Sequence, residues 1–135
     1  MNMRRFLPLI AAVALAGCGA SRQTDETISE TRPTQRDPHV FTLEDIQNAQ
    51  QQNLSNVLAM IRRYRSEWLR PILVANTGRM VDPSAYIDRQ RIGTVSALVN
   101  VPLASATLIR YLTPPEAQGE LGLDNLGGAI VVSTR

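Results

Sequence analysis

The single cysteine of this chain stands at position 18, directly behind a short apolar run, and its placement constrains everything that follows. One cysteine closes no intrachain disulfide, so the folded part must be held by an apolar core. A length of 135 residues suits one domain. A large membrane-spanning barrel, at about ten residues per strand plus a turn, is not expected. All 14 basic residues are arginines, set against 12 Asp and Glu. Two of them, Arg4 and Arg5, precede the apolar run, and the other twelve balance the twelve acids. The sequence pI of about 9.2 therefore reflects the first few residues, and a nucleic-acid partner is not expected.

Arg4 and Arg5 are followed by a mostly apolar stretch over residues 6–15, interrupted by Pro8. A permanent transmembrane helix needs about 20 apolar residues, whereas this stretch has the size of a signal-peptide core. Its end, Leu15-Ala16-Gly17-Cys18, resembles the bacterial lipobox. The resemblance implies that residues 1–17 are a lipoprotein signal peptide and that the Cys18 thiol receives diacylglycerol. Cleavage before Cys18 and acylation of the new amino terminus would follow. Several acyl chains, at about 0.8 kcal/mol per buried methylene, hold a protein in membrane lipid effectively for good. Gly19 stands where aspartate would retain such a protein at the inner membrane, so the expected address is the outer membrane, facing the periplasm.

Residues 19–38 read GASRQTDETISETRPTQRDP, with Ile28 the only large aliphatic side chain. Such a stretch buries too little apolar surface to offset the entropy of ordering it. Together with Cys18 it is expected to form a disordered tether over residues 18–38, about two or three nanometres in reach.

From His39 onward periodicity appears, and residues 39–135 form the expected domain. Thr42-Leu43-Glu44-Asp45 has the pattern of a capping box, predicting a short helix to about Ala49. Leu54, Val57, Leu58, Ile61, Tyr64 and Trp68 make one apolar helical stripe that Pro71 ends. Ile72-Leu73-Val74 predicts a strand and Asn76-Thr77-Gly78 a turn; residues 84–88 predict a second strand, turning through Asp88-Arg89-Gln90-Arg91. Thr94 is placed to cap a brief helix carrying Val95, Leu98 and Val99, and residues 107–112 predict a clear strand. Pro114-Pro115-Glu116 suits a helix start, and Gly127-Gly128 leads into a final strand over residues 129–133. The order predicts a small α+β domain of short strands and short helices.

The ordered pattern of Ala85-Tyr86-Ile87-Asp88, a short helix closing at Val101-Pro102, residues 106–112 and Glu116-Ala117 resembles the plug domain of TonB-dependent outer-membrane receptors. The glycine-pair ending over residues 127–135 is its most specific part. Arg89 stands where that family usually has glycine. The resemblance implies a plug-like fold carried without its barrel, and so an interaction module rather than a transporter. Its expected partner is an outer-membrane β-barrel transporter or another envelope protein.

Catalytic constellations do not assemble from the sequence. His39 is the one histidine, no lysine is present, and no serine sits in a Gly-x-Ser-x-Gly elbow. Asp82 and Asp88 read as turn formers rather than a catalytic pair. An enzyme, a metal site and a cofactor are therefore not expected. Two surfaces remain as candidates. Arg62, Arg63, Arg65 and Arg70 are read as a solvated face and, as the sharper alternative, as contacts to a partner. Glu120, Asp124 and Asn125, in the loop over residues 119–128, are the candidate site for a small ligand such as a siderophore, a glycan or a peptidoglycan fragment.

Overall fold

The computed structural model describes residues 36–135. The expected signal peptide, Cys18 and most of the tether lie outside the described residues. In chain order the elements are β1 (Val40–Phe41), α1 (Leu43–Gln51), α2 (Val57–Tyr64), a 3-10 turn at Ser66–Leu69, β2 (Ile72–Val74) and β3 (Arg79–Val81). After these come β4 (Ser84–Ile87), β5 (Gln90–Thr94), 3-10 turns at Val95–Asn100 and Leu103–Ser105, β6 (Ala106–Leu112), α3 (Pro114–Leu121) and β7 (Ala129–Thr134). The domain is α+β.

Five strands form one mixed sheet in the order β1-β6-β7-β4-β5, with β4 parallel to β7 and the other pairs antiparallel. Side chains alternate across β7. Ile130 and Val132 join Ile46, Val57, Ile61, Leu98, Leu103 and Ile109 in the larger core beneath α1, α2 and the 3-10 turns. Ala129 and Val131 face the other way, onto Tyr86, Leu112 and Ala117 under α3. Each large aliphatic side chain so buried contributes about 1.5–3 kcal/mol, which is how a domain without a disulfide is held.

The capping box forms as its sequence predicts. Thr42 donates its N–H and its hydroxyl to the Asp45 carboxylate at 3.0 and 2.9 Å, and the Asp45 N–H donates back to the Thr42 hydroxyl at 3.4 Å. The folded body begins slightly before His39: Val40 N–H closes a turn on the Asp37 carbonyl, and Arg36 pairs with Asp45 at 3.5 Å.

The stripe from Leu54 to Trp68 is not one helix. Asn56 adopts an extended conformation, and its side-chain oxygen accepts the Ala59 N–H at 2.8 Å, so the helix starts at Val57 and leaves Leu54 outside. Arg65 then leaves helical geometry at φ −146°, ψ 50°, and the 3-10 turn after it still delivers Trp68 to the core. The turn predicted over Asp88-Arg89-Gln90-Arg91 is shorter, because Gln90 already pairs with Ile87 as the start of β5. Asp88, at φ 53°, does not bond its own turn. Its two oxygens accept the Thr134 N–H at 3.0 Å and the Thr134 hydroxyl at 2.9 Å, fastening the β4–β5 corner to the end of β7. Thr94 precedes a 3-10 helix without capping it; its hydroxyl meets Ser96 at 2.9 Å. The strand predicted at 72–74 belongs to a separate hairpin, in which Leu73 and Met80 sit opposite each other, 61% and 62% exposed.

The glycine pair has two distinct physical reasons. A Cβ on Gly127 would press into the Asp82 carbonyl and lie 2.7 Å from the Val81 carbonyl. Gly128 takes φ +83°, in the region side chains avoid, with the Leu112 carbonyl 2.7 Å from where its Cβ would be. Gly119 on α3 has open space around it. Gly127→Ala is therefore expected to destabilise by about 1–3 kcal/mol, whereas Gly119→Ala stabilises by about 0.5–1 kcal/mol. Urea midpoints of the two variants against the parent check both signs.

Candidate functional site

The break in the apolar stripe shapes the most distinctive region of the domain. Because α2 stops at Tyr64, the Arg65 side chain turns back over β1, with its guanidinium 5.8 Å from the centroid of the Phe41 ring. Phe41 belongs to a continuous row of rings. Tyr64 lies at 6.4 Å edge-on to it and Trp68 at 4.9 Å, Trp68 stacks on Tyr111 at 5.7 Å, and His39 follows at 5.7 Å from Tyr111.

Above this row, between α1, α2 and β1, opens a cavity of about 390 Å³. Val40, Phe41 and Met60 give it apolar walls, while Asn48, Gln51 and Gln52 of the α1 end contribute carboxamides. Arg36, Asp45, Tyr64 and Arg65 complete the lining. Four of its polar groups are already engaged in two pairs, since Arg36 meets Asp45 and the Tyr64 hydroxyl donates to Gln52 Oε1 at 2.6 Å. Arg65 is different: its Nε is shut off from solvent and has no acceptor among the described residues.

The four arginines singled out from the sequence thus fall into different environments. Arg62 and Arg63 are exposed in the last turn of α2, where cations complement the free carbonyls of a helix end. Arg70 is exposed at the end of the 3-10 turn. Arg65 is the half-buried one that lines the cavity.

The three candidates of the loop over residues 119–128 are likewise separated. Glu120 lies on α3 and pairs with Arg110 at 3.3 Å. Asp124 is exposed. Asn125 is 1% exposed and tied into the fold on both sides, accepting the Tyr86 hydroxyl at 2.9 Å and donating to the Gly122 carbonyl at 2.9 Å. Its amide therefore locks the loop to β4, and neither described cavity includes Asp124 or Asn125.

A second cavity, of about 370 Å³, lies between Asp37, His39, Arg110, Tyr111, Glu116 and Glu120. The Glu116 carboxyl is held below its usual range, first by the Thr113 hydroxyl at 2.7 Å and then by the Thr113 N–H at 2.8 Å. Burial pushes the Tyr111 hydroxyl up, and the Glu116 charge adds to that. Among the described residues no group of three His, Cys, Asp or Glu is placed to hold a metal ion. No described helix is long and apolar enough to cross a membrane.

Sequence reasoning missed the cavity lining. The signal was the run Gln47-Asn48-Ala49-Gln50-Gln51-Gln52, five carboxamides in six residues on one short helix. Compared with family models, curated proteins and solved structures, the chain matches none.

Two outcomes follow from the hydrogen bonds described. Asn125→Ala leaves the buried Tyr86 hydroxyl without its acceptor and costs about 1–3 kcal/mol. Adding Tyr86→Phe recovers part of that loss in a double-mutant cycle read by urea unfolding. The second concerns acid. Because folding lowers the Glu116 pKa, its contribution is present above the unfolded value near 4.5 and fades as pH falls through the lowered folded value. Glu116→Gln is expected to lower stability at neutral pH, where the charged acceptor is lost, and to flatten the acid limb, as unfolding midpoints taken from about pH 7 to about pH 3 will register.

Proposed function

We propose that this chain is a non-enzymatic, lipid-anchored protein of the bacterial cell envelope, held through Cys18 in the outer membrane with its domain facing the periplasm. The domain is plug-like and acts as an interaction module. Its partner is an outer-membrane β-barrel transporter or another envelope protein. The lipobox resemblance supports the anchor, and the ordered pattern over residues 84–135 supports the plug-like reading.

The observation that carries the interaction reading is β5. It is the last strand of the sheet, paired with β4 on one side only. Exposed Gln90, Arg91 and Thr94 lie along it, with exposed Arg89 at its turn. An edge of this kind accepts an added strand from a partner, and its arginines favour an acidic one. Exposed Arg62, Arg63 and Arg70 are the further contacts in this reading. A second reading, binding of a small ligand such as a siderophore, glycan or peptidoglycan fragment, is favoured by the cavity at Arg65.

A photo-crosslinking residue placed at Arg91 is expected to capture one large outer-membrane barrel protein in intact cells, identified by mass spectrometry. Capture is expected to disappear when Cys18→Ala removes the anchor. Recovery of lipid or of this chain alone would overturn the interaction reading.

A further inference from the structure

We propose that the cavity between α1, α2 and β1 binds a short peptide that ends in a free carboxylate, with Arg65 taking the carboxylate and the α1 carboxamides taking the peptide groups. The inference deepens the ligand-binding reading by naming the ligand's chemistry, and it is independent of the partner at β5.

Four observations carry it. The volume, about 390 Å³, falls within the range of small-ligand sites, roughly 300–1,000 Å³. The lining holds two arginines and one carboxylate, Asp45. Asp45 is engaged by Arg36 and by both donors of Thr42, which leaves one uncompensated positive charge, on Arg65. A guanidinium has five N–H donors, and those of Arg65 meet no carboxylate among the described residues. A single cation of forked geometry matches a carboxylate, whereas a doubly charged phosphate calls for a second free cation that Arg36 does not supply.

The rest of the lining selects the body of the ligand. Asn48, Gln51 and Gln52 each carry one amide acceptor and two amide donors, the complement of a peptide group. Gln52 has spent its oxygen on Tyr64 and keeps its two donors. The apolar walls at Val40 and Met60 suit small aliphatic side chains such as the methyl of alanine. Such peptides arise free, from proteolysis, or attached to a wall glycan, and the shared chemistry is the carboxylate-terminated peptide.

The single tryptophan reports on the site, because Trp68 contacts the Phe41 ring that Arg65 covers. Full-length protein in mild detergent is titrated with tri-alanine, its C-terminal amide, tri-alanine joined to N-acetylmuramic acid, and N-acetylglucosamine. Calorimetry gives the affinity, Trp68 emission reports occupancy beside the aromatic row, and the variants below assign it to this cavity. Saturable binding of tri-alanine is expected, with the amide at least about tenfold weaker. Tighter binding of the muramic-acid conjugate than of free tri-alanine assigns the wall-linked source, and equal binding the free one. Arg65→Gln is expected to weaken tri-alanine by at least about tenfold. Because Arg65 also packs on Phe41, Asn48→Ala with Gln51→Ala serves as a second variant on exposed rim positions, expected to weaken binding several-fold. Equal affinity for acid and amide, or undiminished binding by both variants, overturns the proposal. Binding of N-acetylglucosamine alone overturns the peptide chemistry while leaving ligand binding standing, and no binding by any probe removes both.

Discussion

Between Ala129 and Val132, strand β7 has no solvent face, because cores press on both of its sides and strands pair with both of its edges. Everything else is positioned against that strand. The parallel neighbour β4 brings Ala85 to one core and Tyr86 to the other, and the antiparallel neighbour β6 does the same with Ile109 and Leu112. A one-residue slip of β7 would exchange its small and large side chains between unequal compartments. Register is therefore guarded at both ends of the strand. Gly127 and Gly128 admit it past the Val81, Asp82 and Leu112 carbonyls, and Asp88 grips Thr134 at its far end.

The same frame explains why the aromatic row and the cavity lie together. β1 is only two residues long, yet it pairs with β6 and so brings Phe41 beside Ile109. The 3-10 turn after α2 places Trp68 on Phe41 and against Tyr111 of β6. Arg65 is the residue between those two segments, and its guanidinium lies across the ring of Phe41. Two sides of the cavity are helices fixed by their own N-caps, at Thr42 and Asn56, which makes its outline a property of the fold rather than of a loop.

Much of this was legible in the sequence where one local rule sufficed. The capping box at Thr42, the proline-led start of α3, the strand at 106–112 and the glycine-led β7 need no distant partner to be recognised. Illegible were the elements that exist because of long-range pairing. β1 has two residues and β3 three, too short for any period, and β5 offers a single large apolar side chain, Ile92, among Gln, Arg, glycine and Thr. Of the stripe from Leu54 to Trp68, Val57, Leu58, Ile61 and Trp68 are buried, but Tyr64 is exposed and the helix is interrupted, since an apolar pattern survives a break that merely resets the helix. Among the candidate site residues, Asn125 illustrates the general difficulty: its partner Tyr86 is 39 positions away, and nothing local tells a binding amide from one locked in the fold. The cavity was missed for the same reason, as its lining comes from β1, α1 and α2 together.

The order in which the strands are made gives the β7 arrangement a further meaning. β4 and β6 are neighbours of β7 and not of each other, so the sheet has no centre until residues 129–134 have been synthesised. During translation the preceding hundred or so residues emerge without the strand that joins them, and loop closure between Ser84 and Ala129 spans 45 residues when it comes. The residues before β7 therefore hold two separate groups of strands, β1 with β6 and β4 with β5, that meet only through it. Pairing across such a separation is slow to form, so the docking of β7 is the step expected to set the folding rate.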